Sequence, residues 1–195
     1  MRIEEKVEFL SRPEHYPERP DAVERIQTHM SWVFLTRTRA YKLKKPVRYP
    51  FLDFRTIDAR HIDSLEEVRL NRRLAGDVYL GVVPLTVDDG HPRLGGPGKP
   101  VDWLVHMRRL PSERMLDRLI REGQLRLEDV RPAAAMLARF YREQPPVEIA
   151  VHEYRRRLRD DIDENAEQLT DGAYALPAER VRELCARQRA FLEAA

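Results

Sequence analysis

A chain of 195 residues that is 42% hydrophobic can build the core of one domain or two small lobes and is too apolar for a disordered tail. Its 35 basic and 33 acidic residues nearly cancel, and runs such as Arg155-Arg156-Arg157 give way at once to Asp160-Asp161 and Asp163-Glu164, the pattern of a solvated helix face, which argues against nucleic acid as a partner. The lone Cys185 excludes an intrachain disulfide, Met1 to Lys6 is too charged for a signal peptide, and no run is long enough to span a bilayer, so we expect a soluble, cytoplasmic protein with no membrane partner.

Ile3, Val7 and Leu10 predict a short helix ending near Pro13, and the proline-rich segment 14–22 reads as irregular. Trp32 to Leu35 and Ala40 to Leu43 flank Arg37-Thr38-Arg39 and read as a β-hairpin, although its turn lacks the usual glycine; Pro46 and Pro50 close the second strand. From Ala59 to Leu74, the stripe Ile62, Leu65, Leu70 and Leu74 predicts a helix. Leu80 to Val87 reads as strand, 88–100 as a long turn rich in glycine and proline, and Val101 to Met107 as strand again. Residues 22–110 should therefore form an antiparallel sheet of about five strands with one helix packed on it, the fold class being α+β and 1–110 a first lobe.

Residues 111–195 follow helical spacing and form the second expected unit. Ser112 is placed as N-cap of a helix carrying Met115, Leu116, Leu119 and Ile120. Val130, Ala134, Leu137 and Tyr141 give a second stripe with Pro132 in its first turn, and Tyr154, Leu158, Ile162 and Leu169 a third. Pro177 opens a fourth, with Val181, Leu184, Cys185, Gln188, Phe191 and Leu192 facing inward, so that Cys185 reads as a small buried hydrophobe. That stripe is still running at Ala195, from which we expect a longer natural chain and faces at 154–169 and 181–192 open to self-association.

Several chemical signals fail on inspection. Gly95-Gly96-Pro97-Gly98-Lys99-Pro100 has Arg93 where a phosphate-binding P-loop needs its first glycine and Pro100 where it needs Ser or Thr, so it reads as a hairpin turn. The six histidines show no metal-ligand spacing, and Asp160-Asp161 sits in charge-rich helical sequence. What remains is a strand lysine and a helix glutamate. The period of two puts Ala40, Lys42 and Lys44 on one face of their strand and Tyr41 and Leu43 on the other. Kinase-type nucleotide sites need a small residue beside the adenine, a lysine reaching the phosphates, and a glutamate that holds its ammonium. Glu66 and Glu67 are the candidates for the last role, Glu67 on the face towards the sheet and Glu66 more to the side.

Thr28-His29-Met30-Ser31-Trp32-Val33-Phe34-Leu35-Thr36, Tyr41-Lys42-Leu43-Lys44-Lys45-Pro46-Val47 and Pro50-Phe51-Leu52-Asp53-Phe54 resemble the start of a bacterial kinase-fold family related to the aminoglycoside phosphotransferases. Glu67 with Leu70-Asn71-Arg72-Arg73-Leu74, Val78-Tyr79-Leu80-Gly81-Val82-Val83-Pro84 and Met107-Arg108-Arg109-Leu110-Pro111 extend the resemblance, which runs from about residue 7 to the end. It implies a protein-kinase-like N-lobe followed by the helical start of a C-lobe. It implies roles in holding ATP: Lys42 as the phosphate lysine, with Lys44 as fallback, and Glu67 as its partner. Met107, Arg108, Arg109 and Leu110 would be the hinge that meets the adenine edge, and Thr28 and Ser31 the hydroxyls of the hairpin over the phosphates, which here has no glycine. The family transfers phosphate from ATP with Mg2+ through a His-Gly-Asp loop and a later metal-binding aspartate, and neither occurs in these residues, so no catalytic or metal-binding residue is assigned. The expected function is the nucleotide-positioning part of a small-molecule phosphotransferase with an unidentified acceptor. A non-enzymatic kinase-like binding module and a truncated reading frame are the alternatives.

Overall fold

A computed structural model describes residues 1–49 and 51–194; the strand end expected at Pro50 lies outside them. The chain divides into two compact units, Met1–Tyr141 and Arg142–Ala195, and the boundary expected after Leu110 falls inside the first of them.

The first unit is α+β. Helix α1 (Ile3–Leu10) leads through a 3-10 turn (Pro13–His15) to strands β1 (Glu24–Gln27), β2 (Ser31–Leu35) and β3 (Arg39–Lys44). The short strands β4 (Arg48–Tyr49) and β5 (Leu52–Asp53) form their own ribbon before helix α2 (Ile57–Ala75), which is capped by the Thr56 hydroxyl. Strands β6 (Tyr79–Asp88), β7 (His91–Leu94) and β8 (Lys99–Arg108) complete a six-stranded sheet in the order β1-β2-β3-β8-β6-β7, every pair antiparallel. The expectation of about five strands is corrected to six. β1 shows no buried side chain, so it carries no alternation to read, and β7 lies inside the segment taken for a long turn. Asp89 and Gly90, both at positive φ, make a two-residue turn that pairs Asp88 with His91.

The sheet is covered on both faces. Tyr41 and Leu43 pack with Phe34, Leu85 and Leu104 against Val7, Phe9 and Leu10 of α1 and against Tyr16. The opposite side of β3 meets α2. Here the apolar stripe read from the sequence is wrong: Ile62, Leu65 and Leu70 are exposed, and α2 buries Arg60, Ser64 and Val68 instead. The buried face is polar because each polar group on it has a partner. Arg60 grips Asp102 with two nitrogens at 2.9 and 2.8 Å, and the Ser64 hydroxyl donates to the Arg60 carbonyl. Lys6 of α1 reaches Asp102 as well, at 2.7 Å, just beyond the last β3–β8 pair, Leu43–Leu104.

Two of the sheet's turns do without glycine by the same device. The Thr28 hydroxyl accepts from the Ser31 amide at 3.0 Å, and the Thr36 hydroxyl accepts from the Arg39 amide at 3.1 Å. Each threonine closes its turn with a side chain where tighter hairpins use an αL residue.

After β8, Ser112 opens a 3-10 turn (Ser112–Arg114), and helix α3 (Leu116–Arg121) starts only after Met115, so Ser112 is not its N-cap. Helix α4 (Leu127–Glu143) begins early enough to put Pro132 beyond its first turn, with Asp129 accepting from the Arg126 amide at its start. The second unit is a helical pair, α5 (Val151–Leu169) and α6 (Ala178–Ala194), joined by an Arg189–Asp163 ion pair. Cys185 is buried as expected, whereas Leu184 and Phe191 are not, Phe191 being 72% exposed. Among the described residues no helix is long and apolar enough to cross a membrane.

Candidate functional site

β3 is an inner strand, held by β2 on one side and β8 on the other, so its side chains have a fixed direction. Lys42 and Lys44 both project towards α2, where they meet the same carboxylate. Lys42 Nζ lies 2.9 and 3.1 Å from the two oxygens of Glu67, and Lys44 Nζ lies 2.5 Å from its Oε2. Glu66, the other candidate, turns outward and pairs with Arg69. The structure thus brings together Lys42, Lys44 and Glu67 and leaves Glu66 out.

Asp63 joins them, 2.6 Å from Lys44 Nζ. The sequence reading missed this residue, although its signal was present: Asp63 lies four positions before Glu67, one turn earlier on the same helix face. The four groups balance two positive and two negative charges. Their burial is uneven: the Lys44 side chain is 4% exposed, that of Glu67 14% and that of Lys42 30%. Burial alone would raise the Glu67 carboxyl, but the hydrogen bond from Lys44 and the charge of Lys42 outweigh it and hold the group below its ordinary value. Tyr79, at the start of β6, is pushed upward by burial and then by the negative charge of Glu67.

Ala40, two positions before Lys42, pairs with Met107 at the end of β8. The residues expected as hinge follow directly. The Arg108 amide donates to the Val78 carbonyl at 2.8 Å and the Arg109 amide to the Thr38 carbonyl at 2.9 Å, so neither of these two N–H groups is free for a ligand. Arg108 pairs with Asp77, Arg109 with Glu24, and Leu110 is exposed. A cleft of about 580 Å³ opens here, lined by Arg108, Arg109, Leu110, Pro111, Arg114 and Met115. In the hairpin between β1 and β2, Thr28 uses its hydroxyl within the turn and Ser31 is buried at the start of β2.

Lys42 has the ammonium, the partial exposure and the fixed partner that a phosphate group requires. A magnesium ion does not fit beside it: the carboxylates in reach, Glu67 and Asp63, are both spent on lysines. Among the described residues no three metal-ligating side chains converge.

No family model matches the chain. Uncharacterized proteins of Mycobacterium tuberculosis and Mycobacterium bovis are 39% identical to it over 116 residues, which is 59% of this chain and 22% of each relative. The chain therefore spans about a fifth of the length of the curated relatives it matches. No solved structure matches it.

Proposed function

We propose that this chain is the nucleotide-positioning part of an ATP-dependent, cytoplasmic small-molecule phosphotransferase with a kinase-like fold, related to the aminoglycoside phosphotransferases. One observation carries the reading: an inner-strand lysine, Lys42, is held by Glu67 of the helix packed on that sheet, two positions after the small residue Ala40. A fixed, partly exposed ammonium beside a small residue is what a strand needs to hold the phosphates of a nucleotide whose ring lies against the sheet. The place where β8 runs out, at Met107 to Leu110, would take the adenine edge. The acceptor is a small molecule whose contacts belong to other parts of the enzyme, as do the ligands of the Mg2+ that accompanies ATP.

A second reading, a kinase-like binding module without catalysis, is favoured by the sharing of Glu67 between two lysines. Such a cluster ties helix to sheet whether or not a nucleotide is bound. The same reading would use the exposed faces of α5 and α6 for self-association.

Calorimetric titration of ATP into the chain and into its Lys42→Ala variant tests the first reading. Binding should be weak, with a Kd on the order of millimolar, because an open cleft buries little of a ligand's surface. Lys42→Ala should abolish it. ATP binding that is indifferent to Lys42 overturns the assignment.

A further inference from the structure

We propose a division of labour between the two lysines: Lys44 is the buried partner that positions Glu67, so that Lys42 keeps this carboxylate as its fixed partner and presents its partly exposed ammonium to a phosphate. The proposal rests on the nucleotide reading of the site and assigns roles within it. Lys44 cannot itself serve a ligand. Its side chain is 4% exposed, its Nζ is claimed by Glu67 at 2.5 Å and by Asp63 at 2.6 Å, and the Phe54 ring lies over it with its centroid 5.3 Å away. Lys42 differs on each count. It is 30% exposed and has one carboxylate partner, whose two oxygens it shares at 2.9 and 3.1 Å.

The need for a second lysine follows from the burial of Glu67. A carboxylate that is 14% exposed needs a counter-ion, and were Lys42 the sole one, Glu67 and a phosphate would compete for a single ammonium. With Lys44 on Oε2, Glu67 has a counter-ion besides Lys42, and Asp63 holds Lys44 in that position. α2 is thereby tied to β3 through Lys44 with or without a ligand, so the site is assembled in advance. A phosphate gains Lys42 without the helix having to move.

Carboxyl and ammonium NMR on the full chain tests this. Replacing Lys44 by Met should move the Glu67 titration upward by more than replacing Lys42 by Met does, and Lys44→Arg should restore it. If Lys42→Met shifts Glu67 the more, or if Lys44→Met leaves it in place, the positioning role is wrong. Should Lys44→Met fail to fold, the wild-type protein decides. ADP at millimolar concentration should shift the Lys42 ammonium signal and leave that of Lys44 where it was, and the reverse pattern overturns the assignment. The two failures are separable: if ADP moves neither signal, the nucleotide reading and with it the phosphate role of Lys42 are lost, while the Glu67 titrations still judge whether Lys44 positions that carboxylate.

Discussion

Asp102 is the most enclosed charge among the described residues, at 1% exposure, and it receives cations from both sides: Lys6 of α1 and Arg60 of α2. Removing its charge leaves two buried cations facing a neutral amide, so Asp102→Asn should destabilise the first unit by about 3 kcal/mol, read as a lowered midpoint in urea unfolding. Glu66→Gln, which breaks an exposed pair with Arg69, should leave that midpoint unchanged. The titrating residues set a second expectation. Glu67 sits below its ordinary 4.5, so the unfolded chain takes up that proton first, and the stability it contributes is present above 4.5 and lost as pH falls below it. Tyr16 and Tyr41 are pushed above their ordinary 10.0, by burial first and then by neighbouring negative charge, so the unfolded chain releases those protons first and stability falls as pH rises past 10.0. Urea unfolding across the pH range should show both limbs, and Glu67→Gln should flatten the acid one.

At the level of elements, the turn between β7 and β8 leaves no room for a side chain at Gly98. A Cβ on Gly98 would lie 2.5 Å from the Val87 carbonyl oxygen and 2.8 Å from its carbon, both backbone atoms, and φ there is +112°. Neither the clash nor the strain has a flexible side chain to absorb it, so Gly98→Ala should open the pairing of β6 with β7 and with the start of β8. Gly90→Ala, at φ +80° but with open space around it, should cost only the left-handed strain of about 1–2 kcal/mol. Amide hydrogen exchange of the β6–β8 strands distinguishes the two: loss of protection in the first variant, a small uniform change in the second. Legibility in the sequence followed the same physics. The β2–β3 hairpin, α1, β6 and β8 announce themselves because each carries a run of apolar residues and places some of them in the core. β1 buries nothing, and β7 carries Pro92 in a stretch so rich in glycine and proline that it reads as one long turn. α2 was found as a helix but with the wrong face inward, since its buried side includes Arg60 and Ser64 and no hydrophobicity pattern marks a satisfied polar surface.

On the scale of the molecule, the candidate site was legible as a pair, Lys42 and Glu67, and illegible as a cluster. A strand period identifies which lysines share a face, but whether both reach one carboxylate depends on how closely α2 lies on the sheet, which only packing determines. That cluster also leads to the last expectation, that these 195 residues transfer no phosphate on their own. In-line transfer requires a carboxylate to orient the acceptor hydroxyl and further carboxylates to hold Mg2+ against the β- and γ-phosphates. Around Lys42 the acids are Glu67 and Asp63, and each is already engaged in an ion pair with the buried Lys44. The acid-rich stretch of α5 offers no substitute: Asp163 is paired with Arg189, and Asp160, Asp161 and Glu164 lie along an exposed helix, where they share no converging geometry. Positioning a nucleotide without stabilising the charge that develops on the transferred group leaves most of the barrier standing. An ATPase and phosphotransfer assay on the purified chain with Mg2+ should therefore match the buffer rate, and Lys42→Ala should not lower it. Turnover above background that Lys42→Ala removes would show that one of these paired acids is released during the reaction, and Asp63→Asn and Glu67→Gln would identify which.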